Sequence, residues 1–139
     1  MRRSTLRPPP WWGLPLMTVL ALAPLRAVQA ATPQQLLATY EAQAGRPGMP
    51  ERGQRLFQST QGREWRCASC HGATPVTAGR HVVTGKAIQA LAPAANPGRF
   101  TDEAKAQKWF RRNCQDVLGR ECSAAEKADI LAWLLTLRP

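Results

Sequence analysis

The pentapeptide Cys67-Ala68-Ser69-Cys70-His71 sets the terms for everything around it. Two cysteines three positions apart, with a histidine directly after the second, read as a c-type haem attachment site. The spacing has a chemical cause. Each thiol adds across one haem vinyl group, and the two vinyls sit on neighbouring pyrrole rings. Two intervening residues let a turn of backbone present both sulfurs. The next residue falls beneath the macrocycle, where an imidazole nitrogen binds iron as proximal ligand. The same residues also admit a redox cysteine pair or half of a zinc site, so the rest of the chain has to decide.

The amino terminus favours haem. Arg2, Arg3 and Arg7 precede an apolar stretch from Trp11 to Ala23, and Val28-Gln29-Ala30 offers small residues for cleavage. This reads as a secretory signal peptide over residues 1–30, cut after Ala30, because the apolar stretch is too short and too proline-interrupted to span a membrane. Residues 31–139 then form one domain. C-type haem is attached outside the cytoplasm in bacteria, so the periplasm is the expected location. Export argues against an intracellular zinc finger and permits disulfides. Four of the nineteen Lys and Arg lie before Ala31, which leaves fifteen against nine Asp and Glu, a net of +6 for the mature part. Two ionised haem propionates would lower this to about +4. A basic surface of this kind steers an acidic redox partner or an anionic ligand. The scattered basic residues of an exported chain give no reason to expect nucleic acid.

Hydrophobic spacing predicts helices. Residues 31–44 form the first, with Thr32 as N-cap, Pro33 at the first helical position, Leu36, Leu37 and Tyr40 on one face, and Gly45 as the stop. A second begins near Glu51 and runs to about Thr60; Gly53 lies on the same face as Phe57, where a small residue lets another helix cross closely. Residues 72–100 carry four glycines and three prolines, which exclude a long helix. A loop of that length needs a surface to wrap, and Val82, Val83, Ile88 and Leu91 suit a haem edge. Thr101 caps a third helix that ends around Asn113-Cys114, with Gly119 marking a turn. Ser123 and Glu126 form a capping box for the last helix, where Ile130, Trp133, Leu134 and Leu137 make the apolar face. The expected class is all-α: a small helical domain whose core is thin without a haem.

The second axial position of the iron is the open question. Electron-transfer cytochromes c usually fill it with Met or His, yet no methionine follows His71, and Met49 alone remains in the mature part. The other donors are His81, Lys86, Lys105, Lys108, Lys127, Asn96 and Asn113, or the site is open. His81 lies ten residues past His71, which makes its loop cramped, and it reads first as a surface histidine. Asn113 reads on its own as a left-handed helix C-cap, with ligation as the alternative. Cys114 and Cys122 are an even pair left over in an exported chain. A disulfide closing their short loop is the plain reading, worth up to about 2–3 kcal/mol in the loop-entropy model, and free thiols are the alternative.

One resemblance bears on this choice. The runs Thr84-Gly85-Lys86, Leu91-Ala92-Pro93, Arg99-Phe100-Thr101-Asp102, Lys108-Trp109-Phe110, Arg112-Asn113-Cys114, Gly119-Arg120-Glu121-Cys122 and Glu126-Lys127-Ala128-Asp129 resemble the sphaeroides haem protein family. These are small class I-type monohaem cytochromes c. The resemblance spans nearly the whole mature chain. It implies one haem c held through Cys67 and Cys70, His71 as proximal ligand, Asn113 as sixth ligand, and a disulfide between Cys114 and Cys122. It also implies reversible binding of O2 and NO, with a diheme cytochrome c or a membrane cytochrome b as electron donor.

The function expected is that of a periplasmic cytochrome that accepts an electron, releases Asn113 on reduction and then binds O2, NO or CO. A simple electron carrier with permanently closed iron and an oxygen or nitrogen-oxide reductase are the competing readings. No distal acid–base pair is legible in the sequence, so electron transfer and ligand binding have more support than turnover. A zinc or disulfide module built on the four cysteines, without haem, is the remaining option.

Overall fold

The computed structural model describes residues 31–139; the predicted signal peptide and the cut after Ala30 lie outside them. Five helices and one two-stranded hairpin follow in the order α1 (Pro33–Ala44), α2 (Pro50–Gln58), α3 (Cys67–His71), β1 (Gly79–Arg80), β2 (Ala87–Ile88), α4 (Glu103–Leu118) and α5 (Ala124–Thr136).

Local chemistry sets most of the boundaries. Thr32 Oγ1 accepts the Gln35 N–H while the Gln35 side chain accepts the Thr32 N–H, and Pro33 opens α1. Pro50 rather than Glu51 begins α2, because its fixed φ suits a first turn, and the helix stops at Ser59. Ser123 and Glu126 exchange the bonds expected of them at the start of α5. The hairpin went unpredicted: Gly79 pairs with Ile88 and Arg80 with Ala87 in antiparallel register. Two-residue strands leave no hydrophobic alternation to read.

The third helix differs from expectation at both ends. Asp102, not Thr101, is the N-cap and accepts the Lys105 N–H, while the Thr101 hydroxyl donates to the Gly98 carbonyl. At the other end α4 runs past Asn113 and Cys114 to Leu118, and Gly119 takes the left-handed cap at φ 72°. No Gly or Pro interrupts residues 103–118. An interior Asn costs under about 1 kcal/mol in helix propensity, too little to end a helix that packs. Asn113 is therefore an interior residue of α4, and its reading as a C-cap is wrong.

α5 is the centre of the domain. Residues 128–134 are all buried, so this helix is covered on every side. Leu36 and Tyr40 from α1 and Ala106 from α4 meet its Ala128 and Leu131 in one cluster. Phe57 from α2 meets Ile130, Trp133 and Leu134 in the other. Phe100 and Phe110 pack against both clusters.

The crossing of α2 and α5 depends on glycine. A Cβ on Gly53 would collide with the Asp129 carbonyl and lie 2.8 Å from the Ile130 nitrogen; one on Gly48 would lie 2.6 Å from the Ala128 oxygen. Asp129 locks the crossing. Its carboxylate accepts both Nη groups of Arg46 at 2.8 Å and the Met49 N–H at 2.8 Å, with Arg52 Nε at 3.5 Å. Burial pushes the pKa of this carboxyl up. The Arg46 and Met49 hydrogen bonds, with the charges of Arg46 and Arg52, outweigh burial and hold it below the usual carboxylate range.

Candidate functional site

A cavity of about 680 Å³ lies between α3, the hairpin, the loop before α4, and the inner faces of α4 and α5. Such a volume is in the range of roughly 300–1,000 Å³ that takes a cofactor-sized ligand. Cys67, Cys70, His71 and Asn113 all line it. So do Val82, Val83, Ile88 and Leu91, the apolar residues expected to cover a haem edge.

The short helix α3 presents the two cysteines and the histidine. Ser69 Oγ accepts the Arg66 N–H at its start. β1 passes directly against its end: a Cβ on Gly79 would collide with the Cys70 carbonyl and lie 3.0 Å from His71 Cα. The His71 ring sits beside Phe57, with centroids 6.1 Å apart. Burial lowers the His71 pKa, and the Arg99 charge lowers it further, to about 4. The imidazole is thus neutral at neutral pH, which is the form that binds a metal.

The cysteines discriminate among the three readings of the pentapeptide. Both thiols are free and half-buried. Burial pushes the Cys67 thiol to about 11, whereas a redox Cys-X-X-Cys pair needs a lowered thiol pKa. A zinc site needs four donors. Among the described residues no group of three or more His, Cys, Asp or Glu is placed to hold a metal ion. Cys114 and Cys122 are joined in a disulfide, with Cα atoms 5.6 Å apart. Two free thiols and a neutral imidazole on the wall of one large, mainly apolar cavity fit haem c better than either alternative.

α4 supplies another wall. Ala106, Phe110, Asn113 and Val117 all line the cavity and recur at helical spacing. Asn113 is the one polar member of that stripe, and its amide makes no hydrogen bond to any described residue. The end of α4 that carries it is tied in three ways. The disulfide joins Cys114 to Cys122, Arg120 holds Glu126 through two bonds of 2.8 and 2.7 Å, and Arg63 Nη2 donates to the Gln115 carbonyl at 3.4 Å.

Other donors considered from the sequence are sorted by position. Lys105 and Asn96 reach the cavity, whereas Lys86, Lys108 and Lys127 are not on its wall. Met49 sits at the start of α2, away from it. His81 is not the plain surface histidine expected. It is half-buried in the hairpin turn and lines the cavity, and its Nδ1 accepts the N–H groups of Val83 and Thr84 at 3.2 and 3.3 Å. That bonding keeps Nδ1 from a metal. Sequence reasoning gave no site role to Phe57, Trp65, Gln89 or Arg99, which also line the cavity. Only Phe57 carried a signal, its position one turn after Gly53.

Comparison with known proteins gives concordant results. Residues 43–134 match a family model described as a domain of unknown function, DUF1924. The chain is 53% identical over 107 residues to cytochrome c-type protein SHP of Cereibacter sphaeroides, covering 74% of this chain and 82% of that protein. The structure of oxidised SHP, described as an oxygen-binding cytochrome c, superposes with a TM-score of 0.73 at 50% identity over 77% of this chain and 98% of the other. Oxidised cytochrome c'' of Methylophilus methylotrophus superposes with a TM-score of 0.67 at 36% identity over 77% of this chain and 95% of that one.

Proposed function

The chain belongs to the sphaeroides haem protein family, a family of cytochromes c with one haem c, and from that premise we propose that it is a periplasmic electron acceptor that binds a small diatomic gas when reduced. The observation that carries this reading is the Asn113 amide, unpartnered on the wall of the cavity that also holds Cys67, Cys70 and His71.

Haem c supplies a one-electron ferric/ferrous couple and, where its sixth position is free, a place for O2, NO or CO. The residues of the chain do the rest. Cys67 and Cys70 would anchor the group through thioethers, and His71, neutral and beside Phe57, would bind its iron. Asn113 would hold the other axial position. Its amide oxygen is a hard, neutral and weak donor, suited to ferric iron and poorly suited to the softer ferrous ion. With haem bound, such a donor would be released on reduction. On the same wall α4 also carries Phe110 and Val117, which are apolar, and Asp116, one turn beyond Asn113. The disulfide behind Cys114 would hold this end of α4 in place during such a release.

The basic surface of the mature chain suits an acidic electron donor such as a diheme cytochrome c or a membrane cytochrome b. The leader-like residues 1–30 support export to the periplasm.

Replacing Asn113 with Ala tests the assignment. The haem stays covalently attached, and the ferric iron changes from low to high spin in the visible and electron paramagnetic resonance spectra. A ferric spectrum that stays low-spin as in the wild type removes Asn113 from the site.

A further inference from the structure

Arg99, on the wall of the haem cavity, is a cation without a counter-ion among the described residues. It is half-buried, and burial lowers its pKa from the ordinary arginine value. Its Nε donates to the Ala90 carbonyl and its Nη2 to the Gln89 carbonyl, both at 3.2 Å. Both Nη1 hydrogens and one on Nη2 have no acceptor among the described residues. No carboxylate among the described residues lies within ion-pair distance of it. The nearest acid in sequence, Asp102, is engaged as the N-cap of α4.

Two neutral amides stand with it on the same wall. Asn96 Nδ2 donates to Gln89 Oε1 at 3.3 Å and to the Ala90 carbonyl at 3.2 Å. Gln89 thereby keeps its own N–H donors free. A half-buried charge is retained in a protein when it is paired. The carbonyls of Gln89 and Ala90 orient this guanidinium but leave its charge uncompensated. The arrangement is that of a preformed cradle for a carboxylate, with a planar fork that suits bidentate binding.

We infer that Arg99, assisted by Gln89, binds a haem propionate and thereby directs the propionate edge toward the loop of residues 89–99, and that its charge favours the ferrous state. Arg99 is a positioning residue: it acts on the iron through the propionate and the local field. A cation near the iron opposes the extra positive charge of the ferric form. Without Arg99 an ionised propionate remains alone and favours that form. The inference rests on the haem reading and is independent of Asn113.

The test uses the mature holoprotein at pH 8, where the propionates are ionised. Arg99→Gln lowers the ratio of reduced to oxidised protein at a fixed poise by about tenfold, a fall of about 59 mV in midpoint potential for one electron. Arg99→Lys keeps the charge and leaves that ratio within about threefold of the wild type, but displaces the propionate bending band in the resonance Raman spectrum because the bidentate fork is lost. A ratio in Arg99→Gln within twofold of the wild type overturns the inference. An undisplaced Raman band in Arg99→Lys overturns it as well, and decides the matter alone if Arg99→Gln does not accumulate. Covalent haem, counted by the pyridine haemochrome in each variant, shows separately whether the haem reading stands.

Discussion

Substituting Gly53 by Ala puts one methyl group into the tightest contact of the frame that holds the cavity. Two effects oppose each other. Removing a helical glycine stabilises by about 1 kcal/mol. The added Cβ, however, collides with the Asp129 carbonyl and lies 2.8 Å from the Ile130 nitrogen, and both are backbone atoms of the buried segment of α5. A rotamer change cannot relieve this, so α2 must move outward by about 1 Å, a gap that forfeits a quarter to a half of the contact attraction across the interface. Phe57, Ile130, Trp133 and Leu134 make up that interface, and each contributes about 1.5–3 kcal/mol by burial. Losing a third of their sum costs about 3 kcal/mol, which leaves a net destabilisation of about 2 kcal/mol. Guanidinium unfolding of the holoprotein, followed by recovery of haem-quenched tryptophan fluorescence, measures it. The melting temperature falls by about 8 °C. Gly98→Ala is the control: its Cβ meets only Asn96 Oδ1 at 3.7 Å, and the change stays within about 0.5 kcal/mol. A Gly53→Ala protein as stable as the wild type would refute the close crossing.

Two further substitutions test the interior. The Tyr40 hydroxyl is buried without a hydrogen-bond partner among the described residues, so Tyr40→Phe stabilises the protein by up to about 1 kcal/mol in the same unfolding assay. Burial, with a smaller contribution from the Glu103 charge, raises the Tyr40 pKa to about 12; the unfolded chain loses this proton first, near pH 10, so wild-type stability drops between pH 10 and 12 and the Phe variant lacks that part of the drop. Asp129→Asn removes the charge-assisted bonds to Arg46 and the contact with Arg52; both guanidiniums reach solvent, so stability at pH 7 falls by about 1–2 kcal/mol. Because the folded-state pKa of Asp129 is depressed, its contribution is complete above the unfolded carboxyl pKa of about 3.9 and is lost as pH falls toward the folded value; the difference between wild type and Asp129→Asn shrinks over that range in acid-unfolding curves.

The parts of this molecule that could be read from sequence are those fixed by local rules. Thr32, Pro33, Ser123 and Glu126 act within one turn of themselves, and the structure places them at the helix ends they announce. The pentapeptide around Cys67 was legible because haem attachment needs that spacing within a few residues. Gly53 was legible as a small residue on an apolar face, although its partner on α5 was not. What escaped depends on tertiary contact. Asn113 has the composition of a helix end and lies inside a helix, because the next breaker is Gly119 and the face it shares with Phe110 faces the cavity. His81 has the neighbours of a loop residue, and only the hairpin closing around it turns its Nδ1 toward two backbone N–H groups. Arg99 looked like any other arginine of a basic chain. Its character comes from having two carbonyls as partners and, among the described residues, no acid within ion-pair distance, and no local pattern encodes that.

The most direct test of the account is the visible spectrum of the purified mature protein, oxidised and reduced, with and without CO. A covalent haem that is low-spin when ferric and high-spin when ferrous, and that binds CO at once, is the predicted result. A sharp low-spin ferrous spectrum indifferent to CO would contradict it, since the iron would then be closed in both states and Asn113 would not be a ligand released on reduction.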